Sequence, residues 1–327
     1  MLSGVILQGL RRGHFIFCSA AVFLLTLTSG CFLFVFPEAP PEKIPESKPG
    51  DSACYHLFKN DSSCCMRIHL PPDTARKPCP AVVIFPGGAY GVLAWDKEGN
   101  DYAEVLNRNG IAGIVVKYPL GSLFGHFARH PAMINAAQQA IRLTRHYAGE
   151  LGIDPRKIGV MGSSAGGHLA GLTAIWENGG NPASEDPAEQ VSARPDFVIL
   201  CYPVVSMEAP CSHQGSRKNL LGSDPSPELL RQLSLEKRIT PGFPPVFLWL
   251  TLEDETVDPE NSRMLEAELK RNQVPYKAVF YRKGPHGMGL LNGALASRYP
   301  ETAQWPGEML RFFREKGLFP PMEKRQQ

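Results

Sequence analysis

The sequence predicts an α/β fold in which a mostly parallel sheet carries helices on both faces. Two observations predict it: short apolar runs alternate with amphipathic segments, and glycines follow several of the amphipathic segments. A third observation agrees, because the residues of chemical interest follow the apolar runs. In such sheets ligands bind beyond the carboxyl ends of the strands, so a functional site is expected there.

Apolar runs and amphipathic segments give the individual elements. Strands are predicted over 66–70, 81–85, 112–118, 158–161, 197–202, 246–250 and 276–281. Helices are predicted over 101–109, 131–151, 164–176, 260–272 and 305–316. Two stretches interrupt the alternation: a polar stretch, 177–194, is predicted as a surface loop, and 206–245 lies where such folds often insert a small cap.

The bulk composition is that of an ordinary globular protein. The 327 residues are 43% hydrophobic and 20% charged, which is enough apolar material for a sizeable core. The 34 basic and 32 acidic residues give a formal net charge of +2. This balance offers no electrostatic reason to expect nucleic acid or a strongly charged substrate as a partner.

The first 36 residues differ from the rest and predict export. Arg11 and Arg12 precede an uncharged apolar run over 15–36, as in a signal peptide, and the run is long enough to span a bilayer. A cleaved signal, a lipoprotein processed at Cys31 and a retained membrane anchor all remain open. A proline-rich linker follows over 37–52, and the catalytic domain is expected over 53–327. The expected location is periplasmic, extracellular or membrane-anchored.

Cysteine usage agrees with export. The cysteines after the amino-terminal segment are Cys54, Cys64, Cys65, Cys79, Cys201 and Cys211. An even set outside the cytosol permits disulfides, and the pairs easiest to close are Cys54 with Cys64 or Cys65, and Cys201 with Cys211. No metal site is predicted, because Cys64 and Cys65 are adjacent and lack zinc-ligand spacing.

The pattern Gly-x-Ser-x-Gly occurs over 162–166, directly after a predicted strand and before a predicted helix. It indicates a nucleophile elbow, a tight turn that exposes the hydroxyl of Ser164. Its neighbour Ser163 occupies the variable position and is expected to pack beside the turn. A serine hydroxyl needs a base, a group that orients the base and donors for the oxyanion.

The later strand ends supply the base and the acid in the order that hydrolases of this topology use. His286 lies in a glycine-flanked loop after the last predicted strand and is the predicted base. Three acids crowd the turn after the strand over 246–250, and Asp254 is preferred because Thr-Val follows it two residues later. Glu253 and Asp258 remain alternatives.

The loop after the strand over 81–85 is predicted to supply oxyanion donors. Its small residues let backbone N–H groups approach a ligand, and donors are assigned to Gly88 and Ala89 together with the N–H of Ala165. The assignment on this loop is open by one position. No Gly-Lys-Ser/Thr follows, so a phosphate-binding loop is excluded.

Together these residues resemble the α/β-hydrolase esterases of the hormone-sensitive-lipase and acetylxylan or feruloyl esterase type. The motifs that carry the resemblance are Pro-Gly-Gly-Ala-Tyr at 86–90, Gly-Ser-Ser-Ala-Gly-Gly-His-Leu-Ala at 162–170, Glu-Asp-Glu-Thr-Val at 253–257 and Gly-Pro-His-Gly at 284–287. The resemblance implies an α/β-hydrolase fold and a triad of Ser164, Asp254 and His286. It also implies that no metal or organic cofactor is needed.

The chain departs from this family at Ala89, where a third glycine is usual. Tyr90 and Trp95 follow the oxyanion loop, and they are expected either to form a platform for a sugar or aromatic acid or to pack in the core.

The resulting hypothesis is a serine esterase that removes small acyl groups, with acetyl expected, from a carbohydrate such as xylan. A general carboxylesterase, a peptidase related to prolyl oligopeptidases and an inactive hydrolase-fold binding protein are the alternatives. The expected partner is a small-molecule or polysaccharide ester, with membrane contact only through the amino-terminal segment.

Overall fold

A computed structural model describes residues 54–58, 61–72, 75–121, 128–176 and 179–321. Within this part of the chain eight strands form one sheet in the order β1-β2-β4-β3-β5-β6-β7-β8. The strands are β1 (Cys54–Phe58), β2 (Asp61–His69), β3 (Cys79–Phe85), β4 (Ala112–Lys117), β5 (Ile153–Ser163), β6 (Val198–Cys201), β7 (Val246–Thr251) and β8 (Tyr276–Tyr281). The first two strands are antiparallel to their neighbours, and the other six are parallel to one another.

The helices lie on both faces of the sheet. They are α1 (Asp101–Asn107), α2 (Ala132–His146), α3 (Ala148–Leu151), α4 (Ala165–Ile175), α5 (Pro187–Gln190), α6 (Gln214–Leu221), α7 (Pro227–Gln232), α8 (Glu260–Arg271), α9 (Ala294–Arg298) and α10 (Trp305–Glu315). Helices α1 and α10 cover one face, while α2 and α4 pack together on β5. This arrangement confirms the predicted α/β-hydrolase fold.

An aromatic core joins α10 to the centre of the sheet. Trp249 of β7 stacks on Trp305 of α10 with the ring centroids 4.9 Å apart, and both rings are fully buried. Burial of such large side chains is a major source of stabilisation. The indole N–H of Trp305 donates to the carbonyl of Gly289, 3.0 Å away. The same packing therefore anchors the loop after β8.

The predicted elements are confirmed with shifted ends. The structure adds β1, begins β5 at Ile153, and divides the helix predicted over 131–151 into α2 and α3 at Tyr147. A π-helical turn over Asp96–Asn100 precedes α1 and was absent from the predicted elements. The segment 206–245, where an inserted cap was expected, contains α6, α7 and a short 3₁₀ turn over Leu235–Lys237.

The cysteines only partly follow the prediction. Cys54 of β1 and Cys65 of β2 form a disulfide that joins the two antiparallel strands. The predicted pair of Cys201 and Cys211 is wrong, since both are free thiols. The reason is orientation: Cys201 at the end of β6 belongs to the aromatic core, where Trp249 and Tyr102 contact its sulfur, and burial raises its pKa to about 12.

The amino-terminal segment 1–36 and the linker 37–52 lie outside the described residues. All the described residues belong to one compact unit. Among their helices, none has the length and apolar character needed to cross a bilayer.

Candidate active site

The nucleophile elbow forms as predicted between β5 and α4. Ser164 has φ 54° and ψ −121°, a strained left-handed conformation for a residue with a side chain. Its own N–H donates to the carbonyl of Cys201 on the adjacent strand, 3.0 Å away. Glycine is required at 166, because a Cβ there would overlap the carbonyl oxygen of Phe85. The sharp turn places the serine at the end of β5, next to the ends of β3 and β6.

Ser164, His286 and Asp254 form one hydrogen-bonded chain. Nε2 of His286 lies 2.9 Å from Oγ of Ser164, and Nδ1 of His286 lies 2.6 Å from Oδ2 of Asp254. A carboxylate can only accept, so Nδ1–H donates to Asp254. The neutral ring then accepts the serine proton at Nε2. This is the geometry that a general base requires.

Burial is graded along this chain. The side chain of Asp254 is 1% exposed and that of His286 is 15% exposed, so the imidazole is the more accessible of the two. The second oxygen of Asp254 accepts the N–H groups of Thr256 and Val257, each at 2.9 Å. These two bonds satisfy the second oxygen of the buried carboxyl group and fix its orientation.

The other two acids near this turn, Glu253 and Asp258, bond to backbone N–H groups and not to His286. Oε2 of Glu253 accepts the N–H of Gly284, 3.1 Å away, at the start of the loop that carries His286. Oδ1 of Asp258 accepts the N–H of Glu260 at the start of α8. The geometry therefore places Asp254, rather than either alternative, against the imidazole.

The predicted oxyanion loop reaches the elbow. A Cβ on Gly87 would lie 3.2 Å from Cβ of Ser164, which shows how closely the two backbones approach. The N–H of Gly87 already donates to Oε2 of Glu98 at 2.9 Å. Within the described residues, no acceptor is found for the N–H groups of Gly88, Ala89 and Ala165. These three N–H groups are therefore free to bind an oxyanion, whereas that of Gly87 is not.

Of the two expectations for Tyr90, packing in the core is the one that the structure shows, and the substrate platform is wrong. Its ring is fully buried, and its hydroxyl lies 2.7 Å from Nδ1 of His168. The backbone of Ala89 and Tyr90 adopts positive φ angles of 54° and 58°, which turns the tyrosine inward beneath the loop. Burial of the ring leaves no face for a ligand.

Trp95 is not brought to the triad either. Its half-buried ring lies beneath the guanidinium of Arg67 on β2, 5.3 Å from the ring centroid, and packs against the core on the α1 side. No contact within the described residues brings this ring to Ser164.

Comparison with known proteins identifies the family of this chain. Residues 66–269, more than half of the chain, match the BD-FAE family. The chain belongs to the BD-FAE family. The match includes Ser164 and Asp254 and ends before the loop of His286.

Relatives of this BD-FAE chain include a xylanase and an acetylxylan esterase. It is 31% identical over 224 residues to endo-1,4-beta-xylanase B of Butyrivibrio fibrisolvens, covering 68% of this chain and 34% of the relative. It is 30% identical over 236 residues to an acetylxylan esterase of Xylanibacter ruminicola, covering 71% and 45%. The chain thus spans less than half the length of these two relatives.

A solved structure resembles the BD-FAE chain over most of its length. An acetyl ester-xyloside bifunctional hydrolase from Caldicellulosiruptor lactoaceticus is 34% identical, with a TM-score of 0.75, covering 82% of this chain and 98% of that one. A thermophilic esterase from Thermogutta terrifontis shares the fold at 24% identity and a TM-score of 0.69, covering 87% and 97%. Together these findings identify an α/β-hydrolase of the carbohydrate-esterase type.

Sequence reasoning missed three residues of this BD-FAE site. Glu98 and Tyr202 lie beneath it, and His213 lies beside it on the inserted segment 206–245. Nδ1 of His213 accepts the N–H of Ser216 and so caps α6. Burial lowers the pKa of His213, and the charge of His286 lowers it further. The neutral ring therefore carries its proton on Nε2. All three residues are brought to the site by contacts between distant parts of the chain, so no short motif marks them.

Proposed function

We propose that this BD-FAE protein is a serine esterase that removes acetyl groups from an acetylated carbohydrate such as xylan. The observation that carries the proposal is the chain of hydrogen bonds from Ser164 through His286 to Asp254. Beside it lie three backbone N–H groups that have no acceptor among the described residues. A nucleophile, a base, an orienting acid and oxyanion donors are the parts that acyl transfer needs.

In the first half-reaction, Oγ of Ser164 attacks the carbonyl carbon of the ester while Nε2 of His286 takes the hydroxyl proton. The negative charge that develops on the carbonyl oxygen is stabilised by the N–H groups of Gly88, Ala89 and Ala165. The bond to the sugar oxygen then breaks, and the imidazolium returns its proton to that oxygen. Asp254 stabilises the imidazolium throughout.

In the second half-reaction, water attacks the acetyl group on Ser164. His286 takes a proton from the water, the same donors stabilise the second oxyanion, and the proton returns to Oγ of Ser164 as acetate leaves. The two halves use one set of residues and consume one water for each ester.

The substrate class is supported by two kinds of observation. One relative is an acetylxylan esterase and one solved neighbour is an acetyl ester-xyloside hydrolase. A general carboxylesterase is the second candidate, because Esterase LipC of Mycobacterium tuberculosis is 26% identical over 249 residues.

The activity is tested by replacing the nucleophile. Ser164→Ala should lower the turnover of an aryl acetate by on the order of 10⁶-fold. Ser163→Ala is the matched control, because that hydroxyl lies 3.1 Å from the hydroxyl of Tyr102 and not against His286. An active Ser164→Ala variant would overturn the proposal.

The substrate class is tested with a panel of acetyl, feruloyl and longer acyl esters. Acetate release from acetylated xylan should have a higher kcat/KM than hydrolysis of an aryl acetate. Absence of any sugar-ester hydrolysis would favour the general carboxylesterase.

We further propose that residues 1–36 export the protein, since Arg11 and Arg12 precede their uncharged apolar run. Fractionation of expressing cells, with sequencing of the mature amino terminus, tests export. Full-length protein in the cytosol would contradict it.

A further inference from the structure

A buried glutamate lies directly beneath the candidate active site. Glu98, in the π-helical turn before α1, is only 3% exposed. Its Oε2 accepts the N–H of Gly87 at 2.9 Å, and its Oε1 accepts the hydroxyl proton of Tyr202 at 2.7 Å. A buried carboxylate is expensive unless it is hydrogen-bonded, so these two donors fix its position.

Each donor belongs to a different part of the site. Gly87 begins the loop that carries the oxyanion donors and lies against Ser164. Tyr202 follows β6, and its ring centroid is 4.9 Å from that of His286. The oxygen of Tyr202 also accepts the N–H of Gly289, 3.1 Å away, in the loop that carries His286. The carboxylate thus joins the oxyanion loop to the histidine loop through a single intervening hydroxyl.

The direction of these hydrogen bonds is well defined. Burial, followed by the charge of Glu98, raises the pKa of Tyr202 well above its ordinary value. The hydroxyl of Tyr202 therefore stays protonated and donates a hydrogen bond to Glu98, while its oxygen accepts a hydrogen bond from the N–H of Gly289. The neighbouring hydroxyl of Tyr102, 3.4 Å from that of Tyr202, is likewise buried with a raised pKa.

We propose that Glu98 is a positioning residue for ester hydrolysis, which holds the oxyanion donors and His286 in a fixed relation to Ser164. The inference rests on the proposed esterase function. Attack requires the base and the oxyanion donors to be in place simultaneously, and the two sit on loops that follow different strands, β3 and β8. A displacement of about 1 Å between such groups can lower the rate by about 10²-fold.

The test compares Glu98→Ala, Glu98→Gln and Tyr202→Phe in the full chain. The substrate is an aryl acetate, and an alkyl trifluoromethyl ketone serves as a probe that binds as a tetrahedral adduct of Ser164. Glu236→Gln is the matched control, because Glu236 is also buried, at 6% exposure, and bonds to Ser206 in the inserted segment.

Glu98→Ala should lower kcat by about 100-fold with KM changed by less than about threefold. Inhibition by the ketone should weaken by a similar factor, because its adduct uses the same oxyanion donors. In Glu98→Gln the glutamine can still accept the N–H of Gly87 and can donate to the oxygen of Tyr202, so kcat should fall by only about 10-fold. Tyr202→Phe should lower kcat by a similar factor. Glu236→Gln should leave kcat and ketone affinity unchanged.

Active sites are counted in each variant by stoichiometric labelling with a fluorophosphonate. A loss explained entirely by fewer labelled sites would overturn the positioning role and leave a structural one. Activity and ketone affinity within twofold of wild type in both Glu98 variants would overturn it as well. If Glu98→Ala does not fold, Glu98→Gln and Tyr202→Phe decide the question.

Ser164→Ala in the same assay separates this inference from the function on which it rests. An active Ser164→Ala variant would overturn the proposed function. An inactive Ser164→Ala variant alongside fully active Glu98 variants would overturn only the role of Glu98.

Discussion

The hydroxyl of Tyr90 lies 2.7 Å from Nδ1 of His168, and both side chains are fully buried. Nε2 of His168 lies 2.7 Å from the carbonyl oxygen of Leu233, which can only accept, so the proton of the neutral ring is on Nε2. Tyr90 therefore donates to Nδ1. This pair ties the loop of the oxyanion donors to the helix that follows Ser164.

Tyr90→Phe should affect stability far more than substrate binding. The change removes one donor and leaves Nδ1 of His168 buried without a partner, which costs about 1–3 kcal/mol. KM for an aryl acetate should stay within about twofold, because the ring has no exposed face. Urea unfolding and steady-state kinetics measure the two effects. A large rise in KM with unchanged stability would restore Tyr90 as a substrate contact.

His168 should make stability depend on pH below neutrality. Burial lowers its pKa to about 4, from an ordinary value of 6.5. As the pH falls through 6.5, His168 of the unfolded chain binds a proton that His168 of the folded chain does not bind. The free energy of unfolding is therefore unaffected by this residue above pH 6.5 and decreases as the pH falls towards 4. His168 alone should account for a loss of about 2 kcal/mol between pH 7.5 and pH 5.

The measurement is urea unfolding at both pH values for wild type and His168→Gln. Glutamine does not titrate but can still donate to the carbonyl of Leu233. The variant should therefore show a smaller pH dependence than wild type, by about 2 kcal/mol. Burial also lowers the pKa of His130 to about 4, so the variant should keep a residual dependence in the same direction. Equal pH dependence in the two proteins would contradict the assignment.

Asp254→Asn should lower kcat by about 10⁴-fold with little change in KM. The amide cannot hold Nδ1–H of His286 in the tautomer that leaves Nε2 free to accept the serine proton. Asp258→Asn is the matched control, since that side chain only accepts the N–H of Glu260 at the start of α8 and asparagine can accept the same bond, so neither kcat nor stability should change. Steady-state kinetics on an aryl acetate measure both variants. Comparable losses of kcat in the two would show that Asp254 has no special role.

The disulfide between Cys54 and Cys65 should stabilise the edge of the sheet. It closes a loop with a sequence separation of 11, for which loop-closure entropy predicts about 3 kcal/mol. The double variant Cys54→Ala, Cys65→Ala should unfold at lower urea concentration, and a reductant should destabilise wild type but not the variant. Mass spectrometry of unreduced peptides checks the pairing. A linked peptide containing Cys64 instead would contradict it.

The elements near Ser164 could be predicted because their signals are local. The elbow depends on glycines within two residues of Ser164, and the order of Asp254 and His286 follows from the succession of strands. Strand β1 was missed although its burial alternates, because five residues are too short a pattern to distinguish a strand from a loop. The split at Tyr147 was missed because the amphipathic pattern continues across it.

The sequence by itself predicts the α/β alternation, the triad and the small residues of the oxyanion loop, because each prediction depends on a pattern of a few neighbouring residues. Only the tertiary structure decided that Tyr90 is buried against His168, 78 residues away, and that Glu98 bonds to Tyr202, 104 residues away. It also decided that Cys65, not Cys64, pairs with Cys54. The physical reason is that such contacts depend on the order and register of strands, which bring distant loops together at one edge of the sheet.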